Sequence, residues 1–327
     1  VSSTPDNSWK PTASLAALES RARQSSYVRD FFAARNVLEV ETPALASHGA
    51  NDLNIDSLRV DLAPLPQVDT LKGWLQSSPE YHMKRLLAAG AGPIYQMARA
   101  FRNGERGVRH NPEFSLLEWY RPGFDDLDLM AEVAALVCGW LELPMPERLT
   151  YREAFRRYSG VDAFTASDSA LAQKCERWVG TELAARLSRD ECLDLLLSHE
   201  IEPALRQLPP TFLCHYPASQ AALAKTSVSE DVTVAHRFEL YVEGLELCNG
   251  YWELTDATEQ RRRFELDNQS RQAAGKPDMG IDERLLAAME SGLPACAGVA
   301  LGLDRLLMLK LGTRDIAEVL SFPVERA

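Results

Sequence analysis

What the chain lacks narrows its class before any motif is read. It has no Cys-x-x-Cys pair and no histidine cluster beside its six cysteines, Cys138, Cys175, Cys192, Cys214, Cys248 and Cys296. Scattered in this way, they read as reduced core thiols of a cytoplasmic protein, not as a disulfide framework or a cysteine-held zinc site. No apolar run approaches the roughly 20 residues of a membrane-spanning helix, and Val1 to Pro11 has no signal-peptide core. Basic residues are in deficit, with 35 Lys and Arg against 47 Asp and Glu, a net charge of −12 and a pI near 5.1. That balance gives no support to broad electrostatic attachment to nucleic acid. Internal repeats and low-complexity tracts are missing as well.

What is present is ordinary for a soluble globular protein: 327 residues, 46% hydrophobic and 25% charged, enough for a sizeable core. Leu15, Leu18, Ala22, Val28, Phe31 and Phe32 mark a helical face, followed by a strand over Val37–Thr42 that Pro43 ends. Leu71–Gln76 reads as a short strand. Ser77-Ser78-Pro79-Glu80 reads as a helix start with Pro79 at the first helical position and Met83, Leu86 and Leu87 buried. Pro93–Arg102 and Glu113–Arg121 read as a strand and its returning partner around a polar loop. Asp125–Leu141 is helical, and residues 150–208 form a helical insertion closed by Pro209-Pro210. Strands follow at Thr211–Tyr216 and Arg237–Leu254, with a hairpin turn at Glu243-Gly244. Helices are expected at Glu259–Ala274 and Asp282–Ser291, and Gly298–Leu306 runs a strand into a helix. Strands joined mainly by hairpins, with helices around them, indicate an α+β antiparallel sheet and not a doubly wound fold.

Two arginines stand out: Arg102 at the end of the first hairpin strand and Arg305 in the first turn of the last helix. So placed, they suit an extended nucleoside triphosphate, one at the reacting phosphate and one over the base. Taken singly, each would read as a surface arginine.

With Arg99–Arg121 and Gly298–Leu311 quoted, the chain resembles motifs 2 and 3 of the class II aminoacyl-tRNA synthetases, closest to their lysyl branch, and Phe31–Pro43 resembles motif 1. The resemblance runs from about Leu15 to the C-terminus. It implies the class II synthetase catalytic fold as one domain over residues 1–327, with a homodimer built on motif 1. Fourteen residues precede Leu15, too few for an OB barrel of five strands of roughly five or six residues each, so no anticodon-binding domain and no tRNA partner are expected. This matches the freestanding members of the family. The implied activity is ATP-dependent joining of (R)-β-lysine to a lysine ε-amine of translation elongation factor P. Two other readings stay open: a truncated synthetase-like enzyme that charges tRNA, and an inactive regulatory paralogue.

The resemblance also assigns residues. Arg102 and Arg305 are the catalytic pair, and ATP is held by Arg102, Asn103, Asn111, Phe114, Glu246, Leu247, Gly302 and Arg305. Adenine would lie between Phe114 and Arg305, with Gly302 admitting the ring. Glu246 and Glu253 are implied as the Mg²⁺ ligands, and the amino acid meets Ser78, Pro79, Glu80, Tyr120, Asn249 and Glu253. A diamino acid needs acceptors for its ammonium groups and an aromatic wall for its stem; Glu80, Glu253 and Tyr120 supply these types. Residues seven apart on a strand face opposite sides, so Glu246 and Glu253 share a site only across a bulge, expected at Asn249-Gly250. Two departures from the lysyl pattern are visible. Arg102-Asn103-Gly104 replaces Arg-x-Glu, with Glu105 one place later. Ala300-Leu301-Gly302 replaces Gly-x-Gly, and the added methyl is a candidate discriminator against α-lysine worth about 1–3 kcal/mol.

Overall fold

Ser14 is extended and its hydroxyl accepts the Ala17 N–H at 3.1 Å, which caps helix α1 (Leu15–Ala33). The buried residues Ala17, Ser20, Gln24, Val28, Phe31 and Phe32 recur every three or four positions along it. The computed structural model describes residues 9–62 and 72–327. Within it the chain divides into two compact units: Val1–Pro122 with Thr255–Pro294 and Ala300–Ala327, and Gly123–Leu254 with Ala295–Val299.

In the first unit, α1 leads to β1 (Leu38–Glu39), shorter than the expected Val37–Thr42 because only Leu38 and Glu39 pair fully, in parallel, with Ile94 and Tyr95. β2 (Leu45–Ala46), β3 (Leu58–Asp61) and β4 (Lys72–Leu75) form a small antiparallel sheet in the order β2-β4-β3. Leu71, the expected start of that last strand, lies outside the described residues. Helix α2 (Glu80–Ala88) starts one residue later than expected, with Pro79 at its cap and Tyr81, Met83, Lys84 and Leu87 buried. β5 (Ile94–Phe101) and β6 (Glu113–Pro122) pair antiparallel without a slip, from Ile94 opposite Tyr120 to Phe101 opposite Glu113. The period of two then sorts the hairpin. Tyr95, Met97, Leu117 and Trp119 lie on one face, where Phe32 stacks on Tyr95 at 4.3 Å and meets Trp119 edge-on at 5.4 Å. Gln96, Phe114, Glu118 and Tyr120 share the other face, the parity of Arg102.

The second unit opens with α3 (Asp126–Leu141), capped by Asp125 in a capping box with Asp128. β7 (Glu147–Thr150), which the sequence pattern did not reveal, pairs in parallel with β8 (Thr211–Pro217). Between them runs the expected helical insertion: α4 (Tyr151–Ala154), α5 (Asp168–Val179), α6 (Thr181–Ala184), α7 (Arg189–Leu196) and α8 (Glu202–Leu205). It buries Tyr151, Phe155, Leu171, Leu193 and Leu196 in a cluster with Leu213, Tyr216 and Tyr241. β9 (Thr226–Ser229), β10 (Val232–Val242) and β11 (Leu245–Trp252) complete an antiparallel run, with β10 between β8 and β11. Glu243 and Gly244 both have positive φ, +53° and +70°, the geometry a two-residue hairpin needs, and the turn is where the sequence placed it.

The chain returns to the first unit through α9 (Ala257–Ala273) and α10 (Glu283–Gly292). β12 (Cys296–Gly302) and α11 (Leu303–Leu311) follow, with Gly302 as the extended cap of α11. Antiparallel pairing dominates, as expected of an α+β chain. All six cysteines are buried and free.

Candidate active site

Motif 2 is anchored at both ends. Arg102 leaves β5 with its N–H on the Pro112 carbonyl at 2.9 Å, and Asn103 N–H reaches the Asp56 carbonyl at 2.6 Å. The segment carrying Asp56 is clamped from α9. Arg271, fully buried, donates to the carbonyls of Asp52 at 2.7 Å and Ile55 at 2.9 Å and to the Asp56 carboxylate at 3.1 Å. Lys276 adds contacts to Leu53 O at 2.8 Å and Asp56 at 3.1 Å. Gly104 takes φ +80°, a left-handed turn that glycine adopts without strain, and Glu105 comes back to within 3.5 Å of the Arg102 guanidinium.

The Arg102 guanidinium lies 5.1 Å from the Phe114 ring centre, and its buried Nε has no hydrogen-bond partner among the described residues. An orphaned guanidinium N–H is costly unless something anionic arrives to accept it. On the other arm, Arg305 Nη2 donates to His110 Nε2 at 2.7 Å. Burial, then the Arg305 charge, lowers the His110 pKa, so its ring is neutral at pH 7 and free to accept. A Cβ built at Gly302 would meet only the Arg305 side chain, at 3.7–3.8 Å. The buried Asp304 sets the two arms in register by accepting from Arg21 at 2.6 Å and from the Ser115 N–H, beside Phe114, at 2.7 Å. Asn111 spends its amide within the protein, donating to Glu113 O at 2.6 Å and accepting from Val324 N–H at 3.0 Å. In this state it pins the loop.

One buried carboxyl of the first unit is not singled out by the sequence pattern. Glu118, 2% exposed, accepts from Ser78 Oγ at 2.6 Å and Tyr120 OH at 2.7 Å. Burial, then the neighbouring Glu80 charge, raises its pKa to about 8. Glu80 itself carries the buried Lys84 ammonium at 2.6 Å, and its N–H donates to Ser78 Oγ at 3.0 Å. Ser78, Pro79, Glu80 and Tyr120 are thus brought together around a carboxyl that they do not include. The signal was available: Glu118 has the same strand parity as Phe114 and Tyr120.

In the second unit the bulge exists but not at Asn249-Gly250. Leu240 pairs with Cys248 and Tyr241 with Glu246, which leaves Leu247 as the extra residue. The parity change still occurs, so Glu246, Asn249 and Tyr251 share one face of β11, opposite Tyr241, Glu239 and Arg237 on β10, and Glu253, one residue past the strand, continues that parity. Glu239 accepts from Arg237 and Tyr241, each at 2.6 Å. Glu253 is 2% exposed and Asn249 Oδ1 is buried with no hydrogen-bond partner among the described residues. Gly250 is needed for another reason: a Cβ there would fall 2.4 Å from the ring of Phe238, its cross-strand partner. Carboxylates sharing a strand face are hard oxygen donors of the type Mg²⁺ takes.

Residues 9–326 match the model of the class II tRNA synthetases of the D, K and N type, and the chain belongs to that family. Within it, the sequence is 50% identical over 320 residues to a Proteus mirabilis protein named elongation factor P–(R)-β-lysine ligase, covering 98% of both chains. Proteins of the same name from Pseudoalteromonas translucida and Avibacterium paragallinarum are 48% and 47% identical over 322 residues, 98% of this chain and 99% of theirs.

Proposed function

We propose that the protein is an ATP-dependent ligase that joins (R)-β-lysine, through its adenylate, to the ε-amine of a lysine on elongation factor P. The observation that carries this is full-length similarity to three ligases of that name, together with the buried Glu118 carboxyl among Ser78, Tyr120 and Glu80.

In the first step a carboxylate oxygen of β-lysine attacks the α-phosphorus of ATP and pyrophosphate leaves. The carboxylate is already ionised at pH 7, so no base is required. Arg102 has an unmet donor and stabilises the charge that builds on the phosphoryl oxygens. Phe114 and Arg305 take the adenine, and His110 holds Arg305 in place until it does. Mg²⁺, when bound, neutralises phosphate charge; Glu246 and Glu253 are the residues assigned to it. Glu118 and Glu80 receive the ammonium groups, and Tyr120 flanks the stem. In the second step the acceptor amine attacks the carbonyl carbon of the mixed anhydride, an amide forms, a proton is lost and AMP departs. The family relationship supports a homodimer as the working form.

The test is pyrophosphate exchange into ATP with (R)-β-lysine, α-lysine or no amino acid, followed by incubation with elongation factor P and intact-mass measurement. Exchange favouring (R)-β-lysine and a mass gain of one β-lysyl group are expected. Exchange favouring α-lysine, or an unmodified factor despite strong exchange, would overturn the substrate or the acceptor respectively.

A further inference from the structure

The back of β10 carries a cluster that the adenylation chemistry does not use. His236 turns away from Arg237: its ring packs on Trp252 and faces Asp126 of α3, whereas Arg237 sits opposite Tyr251 and donates to Glu239. There its Nδ1 is 3.2 Å from Oδ2 and 3.3 Å from Oδ1 of Asp126, in the first turn of α3. His215 on β8 completes the group, its ring centre 5.9 Å from that of His236. One ligand atom from each of the three residues lies within 4.8 Å of the others.

The backbone is bent to achieve this. Ala235 pairs with Tyr216 and Phe238 with Cys214, so His236 and Arg237 together oppose the single residue His215. His215 itself takes φ +59°, a left-handed conformation that a non-glycine residue adopts at a cost. Asp126 is 3% exposed, both histidines are half-buried, and Trp252 packs edge-on to His236 at 5.0 Å. Arg148 and Glu153, of opposite charge, are the other ionisable groups that act on His215.

We propose that Asp126, His215 and His236 form a binding site for a divalent transition-metal ion, zinc before others, which ties α3 to β8 and β10. Two imidazoles and a carboxylate suit zinc and disfavour Mg²⁺ or Ca²⁺, which take oxygen donors. For tetrahedral zinc with ligands at about 2.0–2.1 Å, neighbouring ligand atoms stand roughly 3.3 Å apart. The Asp126–His236 edge already has that length; the His215 nitrogen, within 4.8 Å of the other two ligand atoms, closes the remaining distance by a side-chain movement. The outer arrangement agrees, because His236 Nε2 lies 2.8 Å from Ser227 Oγ. A proton on Nε2 given to that hydroxyl leaves the Nδ1 lone pair directed at Asp126, where a cation between the two groups removes their repulsion. Water fills the fourth position, since His236 retains 15% side-chain exposure.

The experiment uses tag-free full-length protein freed of metal by chelator and titrated calorimetrically with zinc chloride, without nucleotide. One zinc per chain is expected. His236→Ala, His215→Ala and Asp126→Asn should each weaken binding at least 100-fold, and Ser227→Ala about 10- to 100-fold. Pyrophosphate exchange verifies that each variant is folded. Cobalt loaded into the unaltered protein reads the ligand set directly, as the intense visible band of a four-coordinate ion. Binding that survives His236→Ala, a stoichiometry near zero, or a cobalt spectrum without that band would overturn the proposal and leave a hydrogen-bonded Asp–His–Ser relay.

Discussion

Replacing Glu118 by glutamine tests the amino-acid pocket most directly, because the side chain keeps its size while losing its charge. With a pKa of about 8 raised by burial and by Glu80, the carboxyl of the free enzyme is mostly protonated at pH 7. An ammonium group arriving beside it favours the ionised form, so binding releases a proton. Apparent affinity for β-lysine should therefore rise as pH rises from 6 to 8, by at most about tenfold per unit, and level off above the free-enzyme pKa. In Glu118→Gln this slope should vanish. Its KM near pH 8 should rise about 30-fold, the equivalent of about 2 kcal/mol for a hydrogen bond to a charged group. The hydroxyls of Ser78 and Tyr120 can rotate to satisfy the new amide, so the fold should survive. Stability gives an independent sign. A raised carboxyl pKa contributes stability in full below the ordinary glutamate value of 4.5 and loses it as pH rises through about 8. Urea midpoints of the unaltered protein should therefore fall over that window more steeply than those of Glu118→Gln. Pyrophosphate exchange at several pH values, with KM separated from kcat, is the assay. An unchanged pH slope in the variant would refute the assignment of Glu118 to the substrate amine.

Three further substitutions bear on other parts of the reasoning. Arg102→Ala should lower the adenylation kcat about 100- to 1000-fold, as removal of one transition-state donor does, with melting temperature little changed; a change confined to KM would contradict a role on the reacting phosphate. Ala300→Gly should improve α-lysine relative to (R)-β-lysine by about 10- to 200-fold in exchange kcat/KM, and an unaltered ratio would remove the methyl group as discriminator. Gly250→Ala should destabilise by about 1–3 kcal/mol in urea because its methyl meets the Phe238 ring, and Phe238→Leu in the same chain should recover part of the loss.

The motif 2 hairpin, the last strand-to-helix passage and the Glu243-Gly244 turn were legible because each is written in local pattern: alternation, a polar loop, a glycine at a tight turn. Less local features were not. β7 and β9 are four-residue strands whose pairing partners, β8 and β10, define them; nothing within Glu147–Thr150 or Thr226–Ser229 distinguishes a strand from a loop. The bulge between Glu246 and Glu253 was inferred from parity, yet its position at Leu247 depends on the register against β10. Gly250 drew attention to the wrong place because two pressures, a bulge and a close aromatic neighbour, select the same residue. Glu118 was overlooked among hydrophobic neighbours, since its perturbation arises from burial that only the packed hairpin creates. Asp304 was quoted within its motif, but its link to Arg21 and Ser115 spans 283 and 189 positions.

The clamp that Arg271 places on the Asp52–Asp56 segment bears on how variation in this enzyme should be interpreted. Arg271 grips main-chain carbonyls and one carboxylate, and that segment in turn holds Asn103 beside Arg102. In a growth-based scan of every substitution, Arg271 would score with Arg102 although its guanidinium is given to Asp52, Ile55, Asp56 and Pro277. Inheritance of the activity would then track this buried residue as tightly as the visible chemistry, and a lineage losing it would lose the ligase while every residue of motif 2 still read as intact.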